Sequence, residues 1–434
     1  MDIDRYRNFH FIGCGGAGMV GLALIMHEKG FRVSGSDLKA SLNTGVLQEK
    51  GIRVSIGHSP SNLPEDKNTF IVRSSAISES NPEFAAAIPR GLPHLRRGEF
   101  LAEIAKSYEL VISVAGCHGK TSVTGLIAHI LRKCGEKPGF MVGGKVTGWK
   151  YSGGAGDGRI FVTESDESDG TQIHLSSNIA VVNNVEDDHS WSVGGEQILY
   201  DNFAKFAENS KKLIYAPSPL ADKIFAFHKN KNSLDLKGLS AKFADMKEWG
   251  GFQKINAAVA VEAVAEAGID RQEAGKHART FPGIERRMSE RYQKDDFHLI
   301  EDYAHHPTEV AASIAALRER FPGHFLRVVF QPHRYARLEK YIDQLACELR
   351  KADEVIVVPV FAAWSEKGKV SSEDLVRKIG KTAKSADSDW KPLAKSLLET
   401  KREKEILAII GAGDIDEIIT ILAKIFNSEN GNAG

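Results

Sequence analysis

The chain has 434 residues, enough for two to four domains at about 100–200 residues each. Hydrophobic residues make up 42% and charged residues 26%, the balance of a globular protein, and the formal net charge of zero excludes a global field that draws in nucleic acid or an anionic membrane. No apolar stretch nears the roughly 20 residues that span a bilayer, so membrane insertion is not expected.

The N-terminus, Met1-Asp-Ile-Asp-Arg-Tyr-Arg7, lacks the apolar segment of a signal peptide. Cys14, Cys117, Cys134 and Cys347 are scattered, without Cys-x-x-Cys spacing. That argues against a disulfide framework or a zinc knuckle and for a reducing, cytoplasmic location.

In chain order, Phe9-His-Phe-Ile12 reads as a strand that leads into Gly13-Cys-Gly-Gly-Ala-Gly18. A helix to about Gly30, a strand Phe31–Ser34 and Asp37 follow. Glycines after a strand, with an acid about 20 positions on, are a nucleotide-binding βαβ fingerprint; read alone, it suggests a dinucleotide cofactor. A further strand, Thr69–Val72, ends in Arg73-Ser-Ser-Ala76, the kind of strand end where open α/β sheets place ligands.

A second segment begins near Tyr108. The apolar run Leu110–Val114 reads as a buried strand, and Val123, Leu126, Ile127, Ile130 and Leu131 share one face of a helix that Gly135 stops. Between them lies Val114-Ala-Gly-Cys-His-Gly-Lys-Thr-Ser122. A glycine turn ending in Lys-Thr suits a nucleoside triphosphate: backbone N–H groups and the helix N-terminus attract phosphate, Lys120 adds a charge, and a hydroxyl can serve Mg²⁺. The strict pattern has glycine where this chain has Val114. Cys117 sits near the helix N-terminus, where a thiol pKa can fall, although a small residue in a tight turn is the plainer reading. Two later strands end in acids: Arg159–Val162 runs into Thr163-Glu-Ser-Asp-Glu-Ser-Asp169, and Asn178–Val182 into Asn183-Asn-Val-Glu-Asp-Asp-His189. Such hard ligands beside a triphosphate suit Mg²⁺. Residues 143–158 read as a glycine-rich loop, and Lys229–Gly238 as a polar, irregular stretch.

From about Arg291, strands His298–Ile300, Leu326–Phe330, Glu354–Val358 and Ile406–Ile410 alternate with helical patterns, which predicts a mostly parallel sheet with helices on its faces. Polar groups gather after these strands, in Asp302-Tyr-Ala-His-His-Pro307, Gln331-Pro-His-Arg-Tyr-Ala-Arg337 and Gly411-Ala-Gly-Asp414. His305, His306, His333, Arg334 and Arg337 suit an anion such as a carboxylate.

Taken together and in this order, His10-Phe-Ile-Gly-x-Gly-Gly-x-Gly-Met19, Ser34-Gly-Ser-Asp37, Ser74-Ser-Ala-Ile77, Arg96-Arg-x-Glu-x-Leu101, Gly116-x-His-Gly-Lys-Thr121, Glu164-Ser-Asp-Glu-Ser-Asp169, Asp188-His189, Asp302-Tyr-x-His-His-Pro-Thr-Glu309 and Gln331-Pro-His-Arg-Tyr-x-Arg337 resemble the Mur ligases. The resemblance runs from about His10 to Asp414, and Gln331–Tyr335 points to the alanine-adding branch. It implies an α/β fold of three domains: Rossmann-like 1–106, central phosphate-loop ATPase-like 107–289, and Rossmann-like 290–434. It implies an ATP- and Mg²⁺-dependent amide ligase that joins L-alanine to the carboxylate of UDP-N-acetylmuramate, acting as a monomer or homodimer.

By the same resemblance, Gly15, Gly16, Gly18, Asp37, Ser74 and Ser75 take the UDP-sugar. Gly116, His118, Gly119, Lys120, Thr121, Ser122, Asn256, Arg286, Arg287 and Asp302 take ATP. Thr121, Glu164 and His189 serve the metal, and Tyr303, His305, His333 and Arg337 receive the amino acid. Lys120, Glu164, His189 and His305 carry the chemistry, with His305 the candidate proton acceptor.

The chain departs from the family pattern between His189 and Asn256, where it is shorter, at Phe252-Gln253, after Gly144, and at Ala362-Ala-Trp-Ser-Glu366, where Trp364 is expected to reshape the third-domain site. These departures bear on substrate identity more than on ATP use. The alternatives are a ligase for another acid–amine pair, including murein peptide recycling, a nicotinamide-dependent dehydrogenase, and a non-catalytic nucleotide-binding relative.

Overall fold

The computed structural model describes residues 3–167, 169–188, 190–363 and 368–431. The chain forms two compact units, one of residues 1–243 and 255–284, the other of residues 244–254 and 285–434. The first unit holds two sheets and the second holds one.

Sheet one comprises β1 (Asn8–Ile12), β2 (Arg32–Asp37), β3 (Arg53–Ile56), β4 (Thr69–Arg73) and β5 (His94–Arg96), in the order β3-β2-β1-β4-β5 and parallel throughout. Every residue of β1 is buried, as a central parallel strand with covered faces requires. The order reverses beside β1, so the glycine turn after Ile12 opens at a topological switch point.

Sheet two comprises β6 (Leu110–Ala115), β7 (Gly139–Met141), β8 (Gly153–Gly154), β9 (Ile160–Glu164), β10 (Ser177–Val182), β11 (Ser210–Tyr215) and β12 (Lys231–Ser233), ordered β12-β11-β10-β6-β9-β7-β8. Only the β7–β8 pair is antiparallel. Two regions read as irregular thus carry short edge strands. β8 lies inside the glycine-rich stretch, where sequence pattern is silent because glycine offers no side-chain alternation. The adjoining backbone is tied down by Glu28, whose carboxylate accepts from Ala155 N–H at 2.9 Å, and by Tyr108, whose hydroxyl donates to Ala155 O at 2.7 Å. β12 is polar because it is an edge. One apolar core serves both sheets: Phe9, Phe11, Phe70 and Phe100 continue into Val111, Met141 and Phe161.

Sheet three comprises β13 (Ser289–Lys294), β14 (Phe297–Asp302), β15 (Phe325–Phe330), β16 (Glu354–Val357), β17 (Ala383–Ser385) and β18 (Glu405–Ile410), ordered β13-β14-β18-β15-β16-β17. β13 is an antiparallel edge and the rest are parallel. Strand alternation feeds two cores. Leu326, Val328 and Phe330 with Ile406, Ala408 and Ile410 face one, while Val329 with Leu407 and Ile409 face the other. Helices cover both faces, the doubly wound arrangement expected from the strand–helix alternation.

Among the described residues no helix is long and apolar enough to cross a membrane.

Candidate active site

The phosphate loop joins β6 to the helix Lys120–Lys133. Gly119 caps that helix at φ 79°, a left-handed conformation that a side chain would strain. Asn183 and Asn184, at the end of neighbouring β10, hold the loop: His118 N–H donates to Asn184 Oδ1 at 2.9 Å, and Asn184 Nδ2 donates to His118 O at 3.0 Å. The Asn256 amide stands beside Gly119.

Lys120 Nζ donates to Gly116 O at 2.6 Å and pairs with Glu167 at 2.7 Å. Burial alone would lower the lysine's pKa. Glu167 and Asp166 outweigh it and raise the value, so Lys120 keeps its charge. Burial pushes Glu167 up, to about 7, with Lys120 opposing. Thr121 Oγ1 donates to Glu164 Oε2 at 3.1 Å, and Gly143 N–H donates to Glu164 Oε1. Two of the three expected metal ligands therefore meet, although they are 43 residues apart in sequence. The third, His189, lies outside the described residues, as does Trp364. Ser122 follows Thr121 in the first helical turn. Cys117 does not have the lowered pKa that a helix N-terminus can impose. It is buried, burial raises its pKa, and its thiol donates to Glu186 O at 3.0 Å.

At the glycine turn of sheet one, Gly15 N–H donates to Asp37 Oδ2 at 2.8 Å, while Gly13 and Cys14 N–H groups donate to Ser36 O. Gly16 is exposed, and Ser74 and Ser75 follow β4 directly, with Ser74 N–H donating to Ile12 O at 3.0 Å. Gly18 lies against Arg97. The Arg97 guanidinium pairs with Asp169, lies 3.4 Å from Asp166 Oδ2 and donates to Thr171 Oγ1 at 3.3 Å. Arg97 thus links the first glycine turn to the acidic loop after β9, all within the first unit.

In the second unit, Asp302 ends β14 and is buried, accepting from Ser313 Oγ at 2.6 Å. Burial raises its pKa, with Arg287 opposing. Arg286 and Arg287 lie over the Tyr303 ring at 5.1 and 4.9 Å. Arg287 also pairs with Glu309 at 3.2 Å, and Arg286 with Glu301 at 3.1 Å. His305 Nδ1 is 3.0 Å from Tyr303 O, and donation there leaves Nε2 as the basic atom. The His305 ring meets His333 edge-on at 5.3 Å; His333 stacks on Phe361 at 5.7 Å and accepts from Arg337 Nη1 at Nδ1, 3.1 Å away. Arg337 is buried. Tyr303, His305, His333 and Arg337 therefore form one cluster at the ends of β14 and β15.

The chain matches known proteins along nearly all of its length. Residues 8–109 match the family model described as Mur ligase family, catalytic domain, and residues 286–413 match Mur ligase, glutamate ligase domain. UDP-N-acetylmuramate–L-alanine ligase of Aquifex aeolicus is 33% identical over 98% of this chain and 99% of its own. The chain belongs to the Mur ligase family. The enzyme of the same name from Brucella anthropi is also 33% identical, over 96% of each chain. Among solved structures, UDP-N-acetylmuramate-alanine ligase of Thermotoga maritima superposes with a TM-score of 0.82 at 23% identity, covering 97% of this chain and 99% of that one. A murein peptide ligase from Psychrobacter arcticus superposes at 0.67 with 21% identity, covering 96% and 98%.

For this Mur ligase, sequence reasoning left four residues without a role. Asn184 holds the phosphate loop, Glu167 partners Lys120, Arg97 bridges two loops, and Phe361 backs His333. Arg97 and Glu167 lie inside quoted motifs, so a search for the partner of each buried charge would have found them. Phe361 carries no such signal. The departure at Phe252-Gln253 is partly local: Gln253 Oε1 accepts from Gly250 N–H at 2.8 Å and caps its own helix.

Proposed function

We propose that this Mur ligase joins L-alanine to the carboxylate of UDP-N-acetylmuramate at the expense of ATP, releasing ADP and phosphate. The meeting of Glu164, at the end of β9, with Thr121 and Lys120 at the phosphate loop carries the reading. That constellation suits phosphoryl transfer, and a hydride transfer has no use for it.

A carboxylate is a poor acyl donor, since its leaving group would be oxide. Its oxygen attacks the γ-phosphorus of ATP, ADP leaves, and an acyl phosphate results. The amine of alanine then attacks the acyl carbon, phosphate departs, and the amine gives up a proton. Loop N–H groups and Lys120 hold the β- and γ-phosphates and stabilise the charge that develops there. Gly116, His118, Gly119, Ser122 and Asn256 complete the first unit's part in nucleotide binding, and Arg286, Arg287 and Asp302 are the second unit's residues that the resemblance assigns to ATP. The Thr121 hydroxyl and Glu164 carboxylate are hard oxygen donors 3.1 Å apart, which fits Mg²⁺, with His189 as a further ligand. When bound, Mg²⁺ neutralises charge on the phosphate oxygens. The sugar nucleotide takes Gly15, Gly16, Gly18, Asp37, Ser74 and Ser75. Arg337 and His333 bind the alanine carboxylate beside Tyr303, and His305 accepts the amine's proton at Nε2. Domains 1–106, 107–289 and 290–434 divide these tasks in a cytoplasmic monomer or homodimer.

The test is phosphate release from Mg-ATP with UDP-N-acetylmuramate, with and without L-alanine. Release that needs both acid and amine, and stops on chelation of Mg²⁺, supports the reading. Intact ATP binding with no release for this acid and any of a panel of amines overturns it.

A further inference from the structure

Three side chains of different chemistry converge at the far end of the helix that the phosphate loop opens. Cys134 caps the C-terminus of Lys120–Lys133. The helix Arg271–Ala278 carries Glu273 and His277 four residues apart, hence on one face, and His277 Nε2 lies 3.9 Å from Glu273 Oε1. The thiol sulfur, a carboxylate oxygen and an imidazole nitrogen all lie within 4.8 Å of one another. Cys134 and His277 are half-buried, while Glu273 is exposed.

We propose that Cys134, Glu273 and His277 form a binding site for a single Zn²⁺ ion, with water in the fourth position. One sulfur, one nitrogen and one oxygen donor suit a borderline-soft tetrahedral cation and not Mg²⁺ or Ca²⁺. The Glu273 carboxylate beside the sulfur favours a dication there, and a bound dication displaces the thiol proton. A bare ion pair between Glu273 and His277, exposed as it is, is worth little and gives the sulfur no part. Along a 14-residue helix the site lies about 20 Å from Lys120, so it is separate from the phosphate loop. A bound ion fastens the helix Arg271–Ala278 to the end of Lys120–Lys133, the helix whose first turn carries Lys120 and Thr121.

The test uses the full-length chain, freed of metal by chelation, with Co²⁺ as the spectroscopic probe and Zn²⁺ as competitor. The expected result is a thiolate-to-cobalt charge-transfer band that saturates at one ion per chain and is displaced by Zn²⁺. Cys134→Ser removes the band, whereas Cys347→Ser, a change at an exposed thiol elsewhere, keeps it. His277→Gln weakens Zn²⁺ binding by more than the roughly 10–100-fold that loss of an outer-shell partner costs. Zn²⁺ raises the melting temperature of the parent chain and of Cys347→Ser but not of the other two variants. Absence of the band, its survival in Cys134→Ser, or unchanged affinity in His277→Gln overturns the proposal. Should Cys134→Ser fail to fold, His277→Gln and Glu273→Gln decide the matter alone.

Discussion

Arg97 occupies the space that a side chain at residue 18 would need: a Cβ built on Gly18 lies 2.6 Å from Arg97 Nη1. The guanidinium has little freedom to withdraw, because it is largely buried and pairs with Asp169 and Asp166. Burial would lower its pKa, yet the two aspartates outweigh that and keep it charged. The first glycine turn and the acidic loop after β9 are thus set against each other through one side chain. Gly18→Ala is expected to cost about 1–3 kcal/mol of stability, the usual range for overpacking. It is also expected to raise the KM for the sugar nucleotide more than that for ATP. Urea unfolding and a KM comparison check both. A fully stable variant with unchanged KM values would show that Arg97 moves aside freely.

Lys120 and Glu167 give a prediction in which activity and stability separate. Replacing Lys120 with Met removes the charge proposed to hold the phosphates, and phosphate release should fall by roughly 10²–10³-fold, the scale of losing one oriented electrostatic group. The same change leaves Glu167 buried without its cation. With Lys120 present, burial already lifts this carboxyl to about 7, so without the lysine it rises further. A carboxyl raised in the folded state holds its proton more tightly than in the unfolded chain. Stability therefore falls as pH rises through the folded value. The variant should be near parental stability at pH 6 and clearly weaker at pH 8, as read by urea midpoints at the two pH values. Equal losses at both would place the effect in packing and not in the stranded carboxyl.

The difference between what was legible in sequence and what was not follows from the reach of local pattern. Strands β1, β6, β14, β15 and β18 are apolar runs bounded by glycine or acids, and burial on both faces makes such runs readable. The helix Lys120–Lys133 was readable from its single apolar face. β8 and β12 were not, because two glycines and a polar edge carry no alternation. Site residues divide in the same way. Lys120 and Thr121 announce themselves by adjacency, and Glu164 by its place after a strand. Asn184 and Arg97 act through partners 66 and 72 positions away in the chain, a pairing that only the fold reveals. Phe361 matters through a stacking contact with His333, which no spacing rule encodes.

His129 sets a pH dependence of stability. It is buried on the helix Lys120–Lys133, with Nε2 3.0 Å from Thr280 Oγ1 and its ring edge-on to Phe281. Burial, then the charge of Lys133, lowers its pKa from 6.5 to about 4; the His277 backbone opposes the shift, and electrostatic effects of His277 and Arg132 add to it. Between those values the unfolded chain binds a proton that the folded chain refuses. The stability associated with neutral His129 is fully present above pH 6.5 and is lost as pH falls through about 4. The shift corresponds to about 3 kcal/mol across that window. His129→Gln keeps a hydrogen-bonding side chain without the titration. Urea midpoints followed from pH 7.5 to pH 4 should fall less steeply for the variant than for the parent. Parallel curves would mean that His129 accepts a proton in the folded state.

Arg337 offers the sharpest test of the proposed amino-acid site, because the role proposed for it depends on shape as well as charge. Its Nη1 donates to His333 Nδ1 at 3.1 Å, and His333 is held from the other side by the stacked Phe361 ring. The planar guanidinium presents its donors in a fixed fork, a geometry that matches a carboxylate. Arg337→Lys preserves the charge but supplies a compact ammonium, which loses either the His333 contact or the carboxylate. A charge-assisted hydrogen bond contributes about 1.5–3 kcal/mol, so the KM for L-alanine should rise roughly 10–100-fold. The KM for ATP should stay within about twofold, because Lys120 and the phosphate loop are untouched. Phe361→Ala should raise the alanine KM by a smaller factor, since it removes only the backing of His333. Equal rises in the alanine and ATP KM values for Arg337→Lys would move Arg337 from amino-acid recognition to the nucleotide site.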